Sequence, residues 1–278
     1  MPEGPEVQLV ADYLHLYLQG KALKHIEIVG GKYKNKPPPF FKEFLAQLPL
    51  YVEKVSAKGK MIIFSLKQIS GEKAIFNIYA GLGMTGTFTF TPSEQEMKHA
   101  AFKFNIEGKA PFPTSFVYSD ARRFGNVYFS PEDLSQKLAP GILQDSTWEN
   151  FITRVAAQKS NRDILSLLMD QEKFVSGIGN YLVAEILYAA KISPFRKGNT
   201  LSSQDWQNIF VAAKNIATLS YQVSGCQLKD FSSPFASDKN FKYYLQVYHQ
   251  YLTPKGEKVQ ADQGSHGRTI WWVPIAQK

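Results

Sequence analysis

The sequence predicts an α+β chain in two domains: an N-terminal β-sandwich with a leading α-helix, then a helical domain that ends in a β-hairpin. Three observations carry this expectation. From about Ile26 to Ser130 the chain breaks into short alternating apolar runs, "MIIFSL", "GTFTFT", "AFKFNIEG" and "NVYFS", separated by Gly, Pro, Ser and Asn. That is the spacing of antiparallel strands rather than of strand–helix–strand units. Further on, apolar residues recur with helical period in "TWENFITRVAAQ", "NRDILSLLMDQ", "GNYLVAEILYAAKI" and "SSQDWQNIFVAAKNIATLSYQV". Between the two regimes lies "LAPGILQDST", Leu138 to Thr147, where Pro140-Gly141 interrupts any regular element. The domains are therefore expected at 1–137 and 148–278, joined by a linker at 138–147.

Taken in order, the chain opens with "MPEGPEVQLVADYL", a rigid acidic cluster at an end where most chains fray. After Pro5, which suits a first helical turn, Val7, Val10, Leu14 and Tyr17 form the stripe of an amphipathic helix that Gly20 can terminate. At the linker's far end Asp145 or Ser146 is the expected cap of the next helix. The last 35 or so residues return to strand-like composition, and "EKVQADQGSHGRTIWWVP" reads as strand, glycine-rich turn, strand. With 278 residues, 44% of them hydrophobic, the chain is long enough to bury two cores, and no repeat or low-complexity tract stands out.

Thirty-two Lys and Arg against 24 Asp and Glu give a net charge of +8, which favours an anionic partner such as nucleic acid or an acidic membrane surface. No apolar stretch reaches the roughly 18 residues that cross a bilayer, and the acidic, proline-containing start does not read as a signal peptide. The single cysteine, Cys226, excludes an intramolecular disulfide and a cysteine-rich zinc site. These features together suggest an intracellular protein.

Several motifs carry chemistry, each with a plainer alternative. In "EKFVSGIGNYL", Gly177 and Gly179 allow a tight turn, and Asn180 stands where a helix begins. Free N–H groups and an amide there suit a phosphate oxygen, or Asn180 is merely an N-cap. In "SDARRFGNVYF", Arg122 and Phe124 lie on a turn closed by Gly125. An aromatic beside guanidinium groups suits entry into a base stack, whereas a core Phe beside solvated arginines is the commoner arrangement. Met84 in "GLGMTG" is likewise a wedge or a plug, and Arg268 after the glycine-rich turn is a solvated charge or a phosphate fork.

As an ordered set these pieces resemble the Fpg/Nei (formamidopyrimidine-DNA glycosylase and endonuclease VIII) family of base-excision repair enzymes. The match runs through "MPEGPEV", "KGK" at Lys58 to Lys60, "GLGMTG", "DARRFG", the helix-two-turn-helix "LLMDQEKFVSGIGNYLVAEIL", "LQVY" at Leu245 to Tyr248 and the terminal hairpin. The initial "PEGP" looks like endonuclease VIII, since the third motif residue of formamidopyrimidine glycosylases is usually leucine. The resemblance implies a bifunctional DNA glycosylase and abasic-site lyase. Met1 is removed, Pro2 becomes a terminal secondary amine that attacks the sugar C1′, and Glu3 protonates the ring oxygen and shuttles protons. It implies too that Glu6 anchors the terminus, that Lys60 and Asn180 contact phosphates, and that Arg268 is the arginine of the terminal finger. Met84, Arg122 and Phe124 match the residues that fill the gap left by a flipped nucleotide, and Glu185 matches a buried acidic position near the active site. The implied partner is duplex DNA with an oxidised base or abasic site, with single-stranded or bubble DNA as a further form. The protein is expected to act as a monomer, without a cofactor, in the nucleus or another DNA-containing compartment.

Two departures shape that expectation. Most members end in a four-cysteine zinc finger, but here no cysteine follows Cys226 and only His249 and His266 remain, so that ligand set is missing. The sequence looks like the zincless branch, whose β-hairpin stands in for the finger, here from about 241 to 278. Bacterial formamidopyrimidine enzymes also carry His in place of Gly81, which shifts the expected substrates toward oxidised pyrimidines and ring-opened purines. The alternative reading is a catalytically silent DNA- or RNA-binding protein, against which Pro2 and Glu3 speak, because a binder needs no such terminus. A metal-dependent nuclease would need a carboxylate or histidine cluster that the sequence does not offer.

Overall fold

Helix α1 (Gly4–Leu18) forms at the chain start, with Glu6 in its first turn and Gly20 turning the chain out at φ 76°. Its buried stripe is Val7, Ala11, Leu14 and Leu18. Tyr17, expected on that face, lies off it and packs at the surface against Tyr13 and Phe90, with ring centroids 4.9 and 5.2 Å away. The computed structural model describes every residue except 72, 110, 159–160, 227–233 and 235–242. Its described residues group into two units, one holding those of 1–2, 7–135 and 234, and the other those of 3–6, 136–226 and 243–278.

In the first unit follow β1 (Ala22–Ile28), α2 (Phe41–Leu45), β2 (Leu50–Lys58), β3 (Met61–Lys67), β4 (Phe76–Gly81), β5 (Gly86–Thr89), α3 (Glu94–Lys98), β6 (Ala100–Ile106), β7 (Ser115–Asp120) and β8 (Asn126–Ser130). The strands pair antiparallel in the order β5-β7-β6-β1-β2-β3-β4-β8. Only Ala22↔Tyr51 and Leu23↔Leu50 join β1 to β2, so the sheet hinges there into two four-stranded layers. Rings from the two layers face each other across the interior: Phe64 of β3 lies 6.5 Å from Phe104 of β6 and 6.4 Å from Phe116 of β7. Strands β7 and β4, each next to an edge strand, approach as well, where the Tyr118 hydroxyl donates to the Gly81 carbonyl at 3.2 Å. This is the expected β-sandwich, filled by alternate inward-facing residues.

The second unit contains α4 (Trp148–Gln158), α5 (Ile164–Leu168), α6 (Asn180–Ala190), α7 (Ser203–Gln222) and the hairpin β9 (Gln260–Gln263) with β10 (Thr269–Trp272). Helix α6 buries residues on every side, as a central helix does, and Phe151, Phe174 and Trp206 pack on one another with centroids 5.2 to 6.0 Å apart. Two details differ from expectation. Thr147 begins α4, in place of Asp145 or Ser146: it trades hydrogen bonds with Asn150, through Oγ1 and through its own N–H, while Asp145 turns back to accept from the Gly141 N–H. The "NRDILSLLMDQ" segment forms only one short helix, because Asp163 caps its start and Asp170 collects the Glu172 and Lys173 N–H groups into a new turn.

Candidate functional site

The start of the chain is fastened into the second unit by two buried carboxylates. Gly4 N–H donates to the Gly177 carbonyl at 2.9 Å. Glu3, 2% exposed, accepts the N–H of Gly179 at 2.7 Å and of Leu182 at 3.2 Å on Oε2, and that of Tyr181 at 2.9 Å on Oε1. These are the N-cap and first-turn donors of α6, which a helix leaves without internal partners. Glu3 therefore caps α6 from outside, its two carboxylate oxygens taking up donors that the helix start would otherwise leave without partners.

Glu6 supports this arrangement from behind. Its Oε2 accepts the Glu3 N–H at 2.9 Å and its Oε1 accepts the Cys226 N–H at 3.0 Å. The Tyr181 hydroxyl donates to it at 2.9 Å and the Ser220 hydroxyl at 3.2 Å. Burial pushes the Glu6 carboxyl above its ordinary range, and these donors partly pull it back. Tyr181 stays a protonated donor, since burial first and the Glu6 and Glu3 charges next push its phenol well up.

Asn180 is the first residue of α6, and Gly179 is the N-cap, so the amide does not cap its own helix. Instead it reaches the hairpin turn: Nδ2 donates to the Thr269 carbonyl at 3.0 Å and Oδ1 faces His266 Nε2 at 3.0 Å. Arg268 is exposed on that same turn, and its carbonyl accepts the Gly264 N–H at 2.8 Å.

Glu185 has a different occupation. It is 1% exposed and accepts the N–H groups of Gln246, Val247 and Tyr248 at 2.9 Å each, with the Tyr243 hydroxyl at 3.1 Å. It organises the "LQVY" segment, in which the Tyr248 ring packs 4.7 Å from Trp271 and 6.3 Å from Tyr181.

The first unit carries the remaining candidates. Pro2 is buried, and Lys60 is half-buried in the two-residue loop joining β2 to β3, where Gly59 takes φ 58°. Arg122 and Met84 meet on adjacent loops, with guanidinium Nη1 3.1 Å from Sδ. Phe124 is 63% exposed and so belongs to the surface, which answers the choice between wedge and core ring in favour of an accessible side chain. Asp120, buried beneath them, accepts from the Gly125 N–H at 2.7 Å and from the Thr85 hydroxyl. Gly125 allows the loops to close: a Cβ there would lie 1.9 Å from the Tyr118 hydroxyl and 2.7 Å from the Gly81 carbonyl.

Thus Glu3, Glu6 and Asn180 converge on the start of α6, Met84 joins Arg122, and Glu185 serves its own segment. Sequence reasoning missed Tyr181, Ser220 and Cys226 as partners of Glu6, and His266 as a partner of Asn180. A serine inside the apolar face of α7 was the one visible signal among them. Among the described residues no group of three or more His, Cys, Asp or Glu side chains is placed to hold a metal ion.

Comparison with known proteins places these features in one lineage. Residues 1–127 match the model of the formamidopyrimidine-DNA glycosylase N-terminal domain, and residues 138–232 match that of the formamidopyrimidine-DNA glycosylase H2TH domain. The formamidopyrimidine-DNA glycosylase of Listeria monocytogenes is 31% identical over 257 residues, covering 89% of this chain and 88% of its own. That of Streptococcus pneumoniae is 28% identical over 256 residues with the same coverage. Among solved structures, the MutM (Fpg) protein of Thermus thermophilus superposes with a TM-score of 0.80 at 24% identity, covering 99% of this chain and 98% of that one. The Lactococcus lactis Fpg bound to DNA containing an abasic site gives 0.77 at 22% identity, with 99% of each chain covered. The chain belongs to the formamidopyrimidine-DNA glycosylase family and is a DNA glycosylase of base excision repair.

Proposed function

We propose that the protein is a bifunctional glycosylase and abasic-site lyase acting through Pro2 once Met1 is removed. The single observation that carries this reading is the Glu3 carboxylate, covalently next to Pro2 and immobilised on three N–H groups at the start of α6. A terminal α-amino group titrates at about 7.7 to 8.0, so a useful fraction is free to attack at neutral pH. The Pro2 nitrogen bonds to C1′ as the bond from C1′ to the damaged base breaks and the base leaves, protonated by solvent; Glu3 takes the proton that the new ammonium sheds and delivers it to the ring oxygen as the C1′–O4′ bond breaks. The resulting iminium is the electron sink for β- and then δ-elimination at the flanking phosphates. Glu6 positions Glu3 through its backbone N–H.

Lys60, Asn180 and Arg268 are assigned to phosphates, and Met84, Arg122 and Phe124 to the gap left by the extruded nucleotide. Oxidised pyrimidines and formamidopyrimidines are the proposed substrates in duplex DNA, with bubble or single-stranded DNA as a further form. The abasic-site DNA bound by the Lactococcus relative is a ligand of the class assigned here. The hairpin β9–β10 is assigned as a zincless finger, and the domain limits as 1–137 and 148–278 around a linker.

Borohydride reduction tests the chemistry directly. It should link the processed protein covalently to DNA containing an abasic site, and Pro2→Gly or a retained Met1, whose peptide bond removes the amine lone pair, should abolish or weaken the link. Undiminished trapping by a chain with intact Met1 would put the nucleophile elsewhere.

A further inference from the structure

The glycine-rich turn between β9 and β10 is built around the ring of His266. Gly264 leaves the ring its space, since a Cβ there would fall 2.5 Å from the imidazole Cε1 and Nδ1. Gly267, at φ 77°, brings the chain back, with its N–H on the Gly264 carbonyl at 3.0 Å. The turn is moored on one side by Ser265, whose hydroxyl lies 2.7 Å from that of Ser166 at the start of α5. On the other side it meets Asn180.

The donor and acceptor roles in that contact are determined by chemistry. The Thr269 carbonyl accepts only, so the amide atom facing it is Nδ2, and the atom facing His266 is Oδ1. Because Oδ1 also accepts only, the imidazole must carry its hydrogen on Nε2. Nδ1 is then a buried lone pair without a hydrogen-bond partner. Burial and the Arg268 charge oppose protonation of the ring and outweigh the Asp163 charge and the Gly264 backbone, which favour it. A neutral Nε2–H tautomer thus occupies the acceptor end of the Asn180 amide. With Oδ1 occupied, only the Nδ2 end, which gives one hydrogen to the Thr269 carbonyl and also meets the Tyr248 hydroxyl, can turn to a phosphate oxygen, and the bond to Oδ1 polarises its N–H groups further.

We propose that His266 is a positioning residue: it holds the Asn180 amide donor-first for a DNA phosphate and ties that grip to the turn that carries Arg268. This inference rests on the phosphate-contacting role of Asn180 proposed above. It concerns a side chain that would never touch the DNA itself.

The test is a coupled set of variants, assayed for affinity to a duplex carrying a tetrahydrofuran abasic-site analogue and for melting temperature. His266→Phe fills the same space without a donor and should weaken binding about tenfold, the order of one lost hydrogen bond. His266→Gln, which retains an Nε2–H, should bind nearly as the parent does. In an Asn180→Ala background His266→Phe should have no further effect. Parent-like binding by His266→Phe, a His266→Gln as weak as the Phe variant, or an undiminished Phe effect without Asn180 would each overturn the inference. If Asn180→Ala alone binds like the parent, the phosphate role of Asn180 falls first and the inference falls with it.

Discussion

At Glu3–Glu6 the charged side chains are themselves the immobilised parts, each carboxylate oxygen meeting an N–H or hydroxyl in the second unit. At Asp120–Gly125 in the first unit the arrangement is reversed. One buried carboxylate, Asp120, ties down the loop through the Gly125 N–H and the Thr85 hydroxyl, while Arg122 and Phe124 stay exposed above it. Arg123 holds a left-handed conformation at φ 57°, a strain that the hydrogen bonds on either side must sustain. The difference matches the proposed roles: a group that transfers protons needs a fixed place, and a group that enters a base stack needs a fixed root with a free tip. The two regions spend their buried carboxylates accordingly.

The comparison breaks most visibly at Glu6. Glu6→Ala would remove the acceptor of the Glu3 and Cys226 N–H groups and of the Tyr181 and Ser220 hydroxyls, of which one can still donate to the other across 3.3 Å. At about 1–3 kcal/mol for each stranded donor, partly relieved by water, the total should be about 3 kcal/mol or more. Urea unfolding followed by far-UV circular dichroism would measure it, and a loss below about 1 kcal/mol would show that the chain start is not anchored as described.

The loop is expected to be most sensitive at its backbone. Gly125→Ala forces a methyl group against the Tyr118 hydroxyl and the Gly81 carbonyl, a form of overpacking that costs about 1–3 kcal/mol. The same unfolding assay checks it. A neutral result would mean that β4 and β7 separate more easily than their 3.2 Å hydrogen bond suggests.

The smallest effect on stability should come from Phe124→Ala, within about 0.5 kcal/mol, because the ring is exposed. Its loss should appear instead in affinity for lesion-containing over undamaged duplex, with the salt dependence of binding unchanged, since no phosphate contact is removed. Fluorescence anisotropy titrations at several salt concentrations separate these outcomes. An altered salt slope would reassign the loop to phosphate binding.

Much of this protein was legible in its residues. The change from alternating to helical periodicity located the strands β3, β5, β6 and β8 and the helices α4, α6 and α7, because those patterns follow from which faces are buried. The motif around Asn180 was legible as a helix start, but whether the amide capped α6 or reached elsewhere was open. Tertiary structure decided that by bringing Thr269 and His266 beside it, from 89 and 86 residues away. The same holds for Glu6, whose partners Ser220 and Cys226 are 214 and 220 residues distant. It holds also for Glu185, expected as a buried acidic position near the active site, whose partners from Gln246 to Tyr248 only the folded chain supplies. Periodicity and turn chemistry are local properties of a chain, and a sequence displays them directly. The partner of a buried carboxylate or amide is whichever unpaired donor or acceptor the folded chain delivers to it, and that depends on packing over the whole unit.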